Sequence, residues 1–402
     1  MKMEFLYYFI FWGFIHAVFG NMVHLKKSHL DKMLRNYDAN LRPHMIGSEA
    51  APTKVRVHIN IIDIFDISDL KMDYVIQLYL KEHWEDPRLR YPDPEGIIQS
   101  IPLSSISKIW TPDLFFNERE GKFHQVQRSN RFARIFNNGK VVFSSRITLK
   151  MHCPMNFKYF PFDRQICSSE LESYGFEKNE VSLKWTDGTP IVVNSKLHIT
   201  NFVLEDFTTG YCDKPLNGNY GCLLLKLQIK RQYGFYLTQV FVPYVILVAV
   251  SWLSLWLDAK AVILRLSLIF VLLFMMFIVN LQIQPLIPAA PYTKAIDIWI
   301  SVCIALVFTA LLQFILVNQL ARRERRVRIS ENHVAKNGGC KRSSKKSYKV
   351  QNILENCSHH QIPLSKRIDF ICRVLFPVAF VIFNCIFWFT YIKGRDSKHI
   401  IK

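Results

Sequence analysis

Two kinds of hydrophobic pattern divide this chain. Between residues 21 and 230 apolar and polar side chains alternate, as in "TKVRVHINIIDI". In "IQLYLKEHW", Leu78 and Leu80 fall on one face of the segment, and Tyr79 and Lys81 fall on the other. The segments "GKVVFSSRITLK" and "GCLLLKLQIKRQ" alternate in the same way. A period of two residues is typical of half-buried strands, so the pattern predicts an antiparallel β-sandwich over residues 21–231.

Continuous apolar stretches replace this alternation after residue 231. A helix needs about 20 mostly apolar residues to cross a bilayer. The stretches long enough to do so are 235–257, 262–279, 296–317 and 370–391. They predict a four-helix transmembrane bundle, with helices 1–3 within residues 232–320 and the fourth within 368–393.

The N-terminus indicates on which side of the membrane the sandwich lies. Lys2 precedes an apolar stretch over residues 5–19, and the small Gly20 offers a cleavage point. This pattern is typical of a secretory signal peptide, here residues 1–20, and an N-terminal membrane anchor is the alternative. With the sandwich outside the cell, four spans place residues 321–367 in the cytosol and the basic tail 394–402 outside.

Charge agrees with this topology. The 402 residues carry a formal net charge of +19, and residues 322–349 contain eleven Lys or Arg against two Glu. Cytosolic loops of membrane proteins carry such an excess, so the basic run indicates topology and contact with anionic lipid. Nucleic acid, the alternative partner of a basic run, is not predicted. Residues 331–349 lack apolar periodicity and are predicted to be irregular.

The cysteines follow the same division. In the extracellular part, close spacing favours pairing Cys153 with Cys167 and Cys212 with Cys222 over crossed pairs, although spacing alone leaves the connectivity open. The remaining cysteines fall in membrane or cytosolic stretches and should stay reduced; they are Cys303, Cys340, Cys357, Cys372 and Cys385.

Enzymatic chemistry has no support in the sequence. The chain has no Gly-rich phosphate loop, no Cys/His spacing of a zinc site and no nucleophile elbow. We therefore predict neither a catalytic site nor a metal or other cofactor.

Several motifs together resemble one family. They are "WTPDLFF" at 110–116, "CPMNFKYFPFDRQIC" at 153–167, "ELESYGF" at 170–176, "QYGFYLTQVFVPY" at 232–244 and "YTKAIDIW" at 292–299. With a signal peptide and four spans, the chain resembles the Cys-loop receptors, which are pentameric ligand-gated ion channels. Its second cysteine pair is similar to that of the glycine- and glutamate-gated chloride channels. The resemblance implies a neurotransmitter receptor in the plasma membrane at a postsynaptic site.

The resemblance also implies a ligand pocket between neighbouring subunits. One face would contribute Phe115, Glu172, Ser173, Tyr174, Asn217 and Tyr220; the other would contribute Tyr79, Lys81 and Ser144. Aromatic rings with a carboxylate suit a cationic amine, whereas core packing is the alternative role of Phe115 and Tyr174.

Two positions in this implied pocket differ from the relatives. Relatives that bind amino acids have Arg at the position of Lys81, and glutamate receptors have a second Arg at Ile62. Glutamate is therefore disfavoured, while an amine or a small amino acid remain open.

In the family the first cysteine hairpin couples the head to the membrane helices. By resemblance the coupling residues are Phe160, Pro161, Phe162, Asp163, Arg231 and Lys294. The Cys153–Cys167 disulfide would stiffen the hairpin, and an aromatic–Pro step such as Phe160–Pro161 permits a cis peptide bond.

The second span is the expected pore helix. Its pore-lining residues would be Ser267, Val271, Phe274, Ile278 and Leu281, with Arg265 near the cytosolic mouth. No Asp or Glu lies between Lys260 and Thr293, which points to anions, chloride above all. The apolar rings of this stripe would dewet in a homomer, so we expect heteropentamers with other Cys-loop subunits. A non-conducting binding or assembly subunit is the alternative.

Overall fold

The computed structural model describes residues 26–45, 51–93, 96, 98–103, 105–125, 129–212, 219–257, 261–337 and 364–393. The predicted signal peptide, residues 338–363 of the basic segment, Asn217 and the tail 394–402 lie outside the described residues.

The first part of the chain is built of β-strands. A helix over 26–34 (α1) precedes them, and short 3-10 turns cover Pro87–Leu89 and Ile106–Lys108. The strands are β1 (Thr53–Ser68), β2 (Asp73–Glu85), β3 (Ile101–Leu103), β4 (Leu114–Phe116), β5 (Glu118–Phe123), β6 (Arg131–Ile135), β7 (Lys140–His152), β8 (Arg164–Glu177), β9 (Val181–Trp185), β10 (Ile191–Val193), β11 (Phe202–Tyr211) and β12 (Tyr220–Arg231).

These strands form two sheets. The large sheet has eight strands in the order β10-β1-β2-β7-β6-β3, with β5 also paired to β7 and β9 to β1. The small sheet has four strands in the order β11-β12-β8-β4. β9 and β10 run parallel to β1, whereas β2 is antiparallel to both of its neighbours, β1 and β7. The β-sandwich is confirmed, with these two parallel pairings as a departure from a purely antiparallel one.

Strand alternation places the core of the sandwich. Val55, Val57, Ile59 and Ile61 of β1 are completely buried, as the period of two residues predicts. On β2, Leu78 and Leu80 are buried while Tyr79 between them is 37% exposed. Because one face of each strand must leave water, this register is strongly specified.

Within the described ranges, four helices long and apolar enough to cross a membrane follow the strands. The first, α2, spans Gly234–Trp256 and includes a π-helical turn at Leu237–Phe241 and a 3-10 turn at Ser254–Trp256. The others are α3 (Val262–Ile283, continued by a 3-10 turn at Gln284–Leu286), α4 (Ala295–Asn337) and α5 (Leu364–Trp388, continued by a π-helical turn at Phe389–Lys393).

One part of the segment predicted to be irregular is helical. α4 continues through residues 331–337 although the sequence there has no apolar period. Adding residues to an existing helix avoids the cost of nucleation, so polar residues can continue it. The absence of an apolar stripe was therefore not evidence against a helix at this position.

The chain divides into two compact units, and the division does not follow the sequence order. The head unit contains residues up to 155 together with 164–230. The membrane unit contains residues from 231 onward together with the eight-residue segment Asn156–Asp163. The tip of the first cysteine hairpin therefore packs with the helices, and its Phe160–Pro161 peptide bond is cis.

Both expected disulfides are present. Cys153 pairs with Cys167, with Cα atoms 4.9 Å apart, and Cys212 pairs with Cys222, with Cα atoms 5.5 Å apart. Cys153 and Cys167 are almost completely buried, at 0% and 1% exposure. Among the described residues Cys303, Cys372 and Cys385 are free, as predicted.

Replacing Cys153 and Cys167 together by Ala should lower stability by about 2–5 kcal/mol, because the unfolded chain loses a covalent constraint. We expect much less of the variant at the cell surface, measured by surface biotinylation. Cys385→Ala removes an exposed free thiol and is the matched control. Alkylation of Cys153 or Cys167 in the unreduced native protein would contradict the pairing.

Candidate functional site

The outward face of the small sheet carries an aromatic pair beside a buried carboxylate. Phe115 on β4 lies directly opposite Glu172 on β8 in the strand register. The Phe115 and Tyr174 rings meet edge to face, with centroids 5.9 Å apart. Tyr174 is 75% exposed, whereas Glu172, two residues earlier on the same face, is 2% exposed. The aromatic residues thus border a surface and do not fill the core.

Glu172 lies beneath the second disulfide. It is paired in register with Cys222, and the side-chain ligand atoms of Glu170, Glu172, Cys212 and Cys222 lie within 4.8 Å of one another. A metal would need thiolates, and these two sulfurs are bonded to each other. The group is therefore a disulfide lying on acidic side chains.

Tyr220, at the start of β12, is half-buried and lies opposite Glu177 in register. Tyr220 is thus the first residue of β12, the strand that carries Cys222 and that pairs with β8.

Ser173 does not lie on the outward face, where its expected ligand-binding role would place it. Its side chain is fully buried, and its hydroxyl donates to Asp113 Oδ1 at 2.6 Å. The backbone N–H of Gly175 donates to the other oxygen of Asp113. Because successive residues of a strand point to opposite faces, Ser173 must face inward when Glu172 and Tyr174 face outward. Ser173 instead holds the loop before β4 in place.

The outward face of the large sheet carries Tyr79, Lys81 and Ser144. In the strand register Lys81 lies directly opposite Ser144, and Tyr79 lies opposite Arg146. His58 on β1 is the other neighbour of Lys81. Burial and then the charge of Lys81 lower the pKa of the His58 imidazole. This face is therefore electropositive.

Arg146 is the residue of this face that sequence reasoning missed. Its Nη2 donates to Gln77 Oε1 at 3.1 Å, and its Nε has no hydrogen-bond partner among the described residues. Arg146 stands two positions after Ser144, so the period of the strand places both on the same face. It supplies the planar fork that Lys81 lacks.

The hairpin tip holds a buried ion pair inside the membrane unit. Arg231 Nε lies 2.8 Å from Asp163 Oδ1, and both side chains are almost fully buried. The guanidinium also lies over the Phe160 ring, 4.8 Å from its centroid. Phe162 contacts Phe241 of α2 and Trp388 of α5, with ring centroids 5.7 and 5.5 Å apart.

The hairpin also caps the start of α4. The first N–H groups of a helix have no partner inside the helix. Here the N–H groups of Ala295 and Ile296 donate to the carbonyls of Lys158 and Phe160, at 3.1 and 3.2 Å. Lys294 pairs with Asp297 of its own helix at 3.0 Å. The structure thus brings Phe160, Phe162, Asp163 and Arg231 together, while Lys294 has this separate ion pair.

α3 is exposed on more than one side, and the expected pore stripe lies on the exposed part of its surface. Val271, Phe274 and Leu281 are 59%, 62% and 51% exposed, Ser267 is also exposed, and Ile278 is half-buried. On the opposite side Ile269, Leu272 and Met276 are buried against the rest of the bundle. The expected stripe therefore has no cover from the described part of this chain.

Arg265 does not belong to that stripe, and the expectation for it is corrected. A helix turns about 100° per residue, so Arg265 lies about 200° away from Ser267, on the buried side. Its side chain is 2% exposed, and its Nη2 lies 3.2 Å from Asp369 Oδ2. The guanidinium also donates to the carbonyls of Leu255 and Leu257. Gln313 Nε2 donates to the same Asp369 carboxylate at 2.6 Å.

Comparison with known proteins agrees with this architecture. The family model of the neurotransmitter-gated ion-channel ligand binding domain matches residues 26–233. The model of the transmembrane region of these channels matches residues 240–338. This chain belongs to the neurotransmitter-gated ion channel family. A glutamate-gated chloride channel from Drosophila melanogaster is 36% identical to it over 422 aligned positions, which cover 92% of each protein.

Membership confirms the expected resemblance and its coarse consequences. The family consists of ligand-gated channels, so the chain is a channel subunit and not an enzyme. Cys-loop channels are pentamers, so the exposed faces of one subunit have neighbours in the assembly. The four apolar helices make the subunit a multi-pass membrane protein.

Substitutions at Arg265 and Asp369 test the buried cluster. Arg265→Gln or Asp369→Asn alone leaves one buried charge without its counter-charge, which should cost roughly 3–5 kcal/mol. The double variant replaces the pair by two neutral amides and should recover much of this loss. Surface expression and thermal unfolding of the purified channel measure the cycle.

Arg367→Gln removes an exposed positive charge two residues before Asp369 and is the control for that cycle. Strictly additive losses in the double variant would mean that Arg265 and Asp369 do not interact.

Proposed function

We propose that this chain is a subunit of a transmitter-gated, chloride-selective pentamer whose ligand binds between neighbouring subunits. The observation that carries the proposal is the placement of two complementary faces. Phe115, Glu172 and Tyr174 lie on the outward side of the small sheet, and Lys81 and Arg146 lie on the outward side of the large sheet. Faces on opposite outer surfaces of one sandwich cannot meet within a subunit. In a ring each subunit offers one face to each neighbour.

The ligand class follows from these charges. Aromatic rings and the Glu172 carboxylate attract an ammonium group, with each ring contact contributing about 0.5–2 kcal/mol. Arg146 and Lys81 on the facing subunit attract a carboxylate, and Arg146 can bind it with two hydrogen bonds. A small amino acid carries both groups. We therefore favour an amino acid transmitter over a simple amine. Ile62, where glutamate receptors have Arg, disfavours glutamate, although the fly relative is named for that transmitter.

The proposed anion preference cannot rest on Arg265, because the charge of Arg265 is opposed by Asp369. It rests on the absence of acidic residues between Lys260 and Thr293 and on the N-terminus of α3. Helix N-termini carry about half a positive charge, and a ring of them attracts anions at the cytosolic mouth. The basic continuation of α4 raises the local chloride concentration further.

The apolar stripe supports heteropentamers. Val271, Phe274 and Ile278 would form three dry rings over roughly 10 Å of helix, at about 1.5 Å rise per residue. Partner subunits with hydroxyl-bearing helices would interrupt these rings. The same stripe supports the second candidate, a non-conducting subunit that binds ligand or promotes assembly in a postsynaptic membrane.

Substitutions on the electropositive face separate the ligand classes. Arg146→Ala and Lys81→Ala should each raise the half-maximal concentration of an amino acid agonist at least about tenfold, equivalent to ~1.4 kcal/mol. Arg146→Lys should not restore it, because Lys has no fork. The measurement is whole-cell current from this chain co-expressed with a conducting relative.

The potency of an agonist analogue without the carboxylate should not change in either variant. Lys226→Ala, at an exposed position of β12, is the control. Equal agonist potency on all these variants would exclude a carboxylate-binding role for this face.

Current measurements test the pore proposal. Unmodified homomers should reach the surface and pass little current. Replacing Val271 and Ile278 by Thr and Phe274 by Leu should give currents that reverse with the chloride gradient, because hydroxyls replace part of the lost hydration. Phe277→Leu, on a different exposed side of α3, is the control. Large currents from the unmodified homomer would reject the dry-ring argument, and cation selectivity in the variant would reject the anion proposal.

A further inference from the structure

A cavity of about 400 Å³ lies within the head unit, and Phe115 of the small sheet is one of the residues that line it. Its walls come from the inward side of the large sheet, including Leu80 and Glu82 of β2 and Phe143 and Ser145 of β7, and from β4 with its flanking residues. Leu80 lies opposite Ser145 in the strand register, and Glu82 lies opposite Phe143. Small-molecule sites in proteins have volumes of about 300–1,000 Å³, so this cavity has the size of a ligand site.

Glu82 is the unusual residue of this cavity. It is 3% exposed, and its Oε2 has no hydrogen-bond partner among the described residues. The described residues also form no ion pair with it. A buried carboxylate without a partner is costly, and native structures rarely keep one without a functional reason. Burial, followed by the negative charge of Asp113, raises the pKa of Glu82 to about 8.

The other walls suit an ammonium ion. Four phenyl rings line the cavity; they belong to Phe115, Phe116, Phe123 and Phe143. A cation near the face of a phenyl ring is attracted by its quadrupole, more strongly where water is excluded. Glu118, also in the wall, has an Oε2 that is buried and has no hydrogen-bond partner among the described residues.

The positively charged side chains that line the cavity do not cancel its preference for an ammonium ion. Lys122 and Arg131 also line it, but both residues are exposed. The Arg131 guanidinium lies over the Phe123 ring, 4.9 Å from its centroid. Water screens exposed charges far more than buried ones, so Glu82 in its ionised form governs the potential deep in the cavity.

We propose that this cavity is a second binding site, within one subunit, for a small organic ammonium ion with an apolar body, and that Glu82 is its counter-ion. The ammonium group would donate to the Glu82 carboxylate, and the phenyl rings would surround the apolar body. All the residues that line the site belong to one subunit, and it shares Phe115 with the proposed transmitter pocket.

Charge-matched thiol reagents test the proposal on the full-length channel in intact cells. Ser145→Cys places a thiol in the wall of the cavity with little change in volume. Its thiolate attacks the sulfenyl sulfur of a methanethiosulfonate, forming a mixed disulfide and releasing methanesulfinate. The ethylammonium and ethylsulfonate reagents carry opposite charges, so the ratio of their rates reports the potential in the cavity. The thiolate fraction cancels in that ratio.

At pH 9, where the Glu82 carboxyl is charged, we expect the ammonium reagent to react at least about ten times faster than the sulfonate reagent. Glu82→Gln should bring the ratio close to one. Benzylamine should slow the ammonium reagent, whereas benzyl alcohol at the same concentration should not. Ser144→Cys, the adjacent outward position, is the matched control: it faces Lys81, so the sulfonate reagent should be favoured there, and Glu82→Gln should not change its ratio.

The pH dependence adds a second readout. The Glu82 carboxyl is mostly neutral below its pKa of about 8 and charged above it. The Ser145→Cys ratio should therefore rise between pH 7 and pH 9, and this rise should disappear with Glu82→Gln. The other charged groups that line or adjoin the cavity are Asp113, Glu118, Lys122 and Arg131.

Three results would overturn the proposal. A faster reaction of the sulfonate reagent would show that Lys122 and Arg131 determine the potential. A ratio insensitive to Glu82→Gln would remove Glu82 from the site. Absence of labelling at Ser145→Cys in protein that reaches the surface would show that the cavity admits no ligand. If Ser145→Cys does not reach the surface, Leu149→Cys on the same wall replaces it as the reporter.

Discussion

The buried pair of Asp163 and Arg231 is the interaction on which the membrane unit depends most directly. Two charges taken out of water need each other, because either one alone would be a buried, uncompensated charge. Arg231 ends β12, three residues before the first membrane helix begins at Gly234, and Asp163 ends the hairpin tip. The same tip donates its carbonyls to the first N–H groups of α4. One eight-residue segment therefore fixes the beginnings of two membrane helices. The Cys153–Cys167 disulfide closes the hairpin that contains this segment.

Strand periodicity predicted most of the head correctly and also explains where prediction failed. The buried positions of β1 and β2 follow the sequence alternation residue by residue. The resemblance implied that Ser173 lies on the ligand face, although alternation places it inward between Glu172 and Tyr174. The same alternation places Arg146 on the face of Ser144, two residues earlier. The sequence does not show which residues of distant strands are paired, such as Tyr79 opposite Arg146. This pairing decides which side chains share a face and therefore the chemistry of that face.

Helical periodicity gives a similar lesson in the membrane unit. The apolar stretches predicted all four helices, and the exposed stripe of α3 follows from a turn of about 100° per residue. The same rule separates Arg265 from the stripe. The family resemblance placed Arg265 at the pore mouth, whereas the helix period places it on the buried side. Its partner could not have been predicted, because Asp369 is 104 residues away in the sequence. A charged residue in a membrane helix often pairs with another charged residue of the bundle, and it need not line an ion pathway. Here the Arg265–Asp369 pair joins α3 to α5. The carbonyl of Leu255 at the end of α2 and the side chain of Gln313 on α4 complete the cluster.

Adjacent residues of β2 and β7 connect the two sites proposed for the head. Lys81 and Ser144 face outward as a register pair, and Leu80 with Ser145 is the next pair along, facing inward. The outward side is electropositive and the inward side carries the Glu82 carboxyl, so opposite charges occupy the two faces of one strand. Any shift of β2 that improves the position of Lys81 for an anion also moves Glu82 relative to the cavity. Coupling between two binding sites is reciprocal. An ammonium ion in the cavity would therefore change the affinity for the transmitter by the same factor by which the transmitter changes the affinity for the ammonium ion. β2 therefore carries both the electropositive outward face and one wall of the cavity.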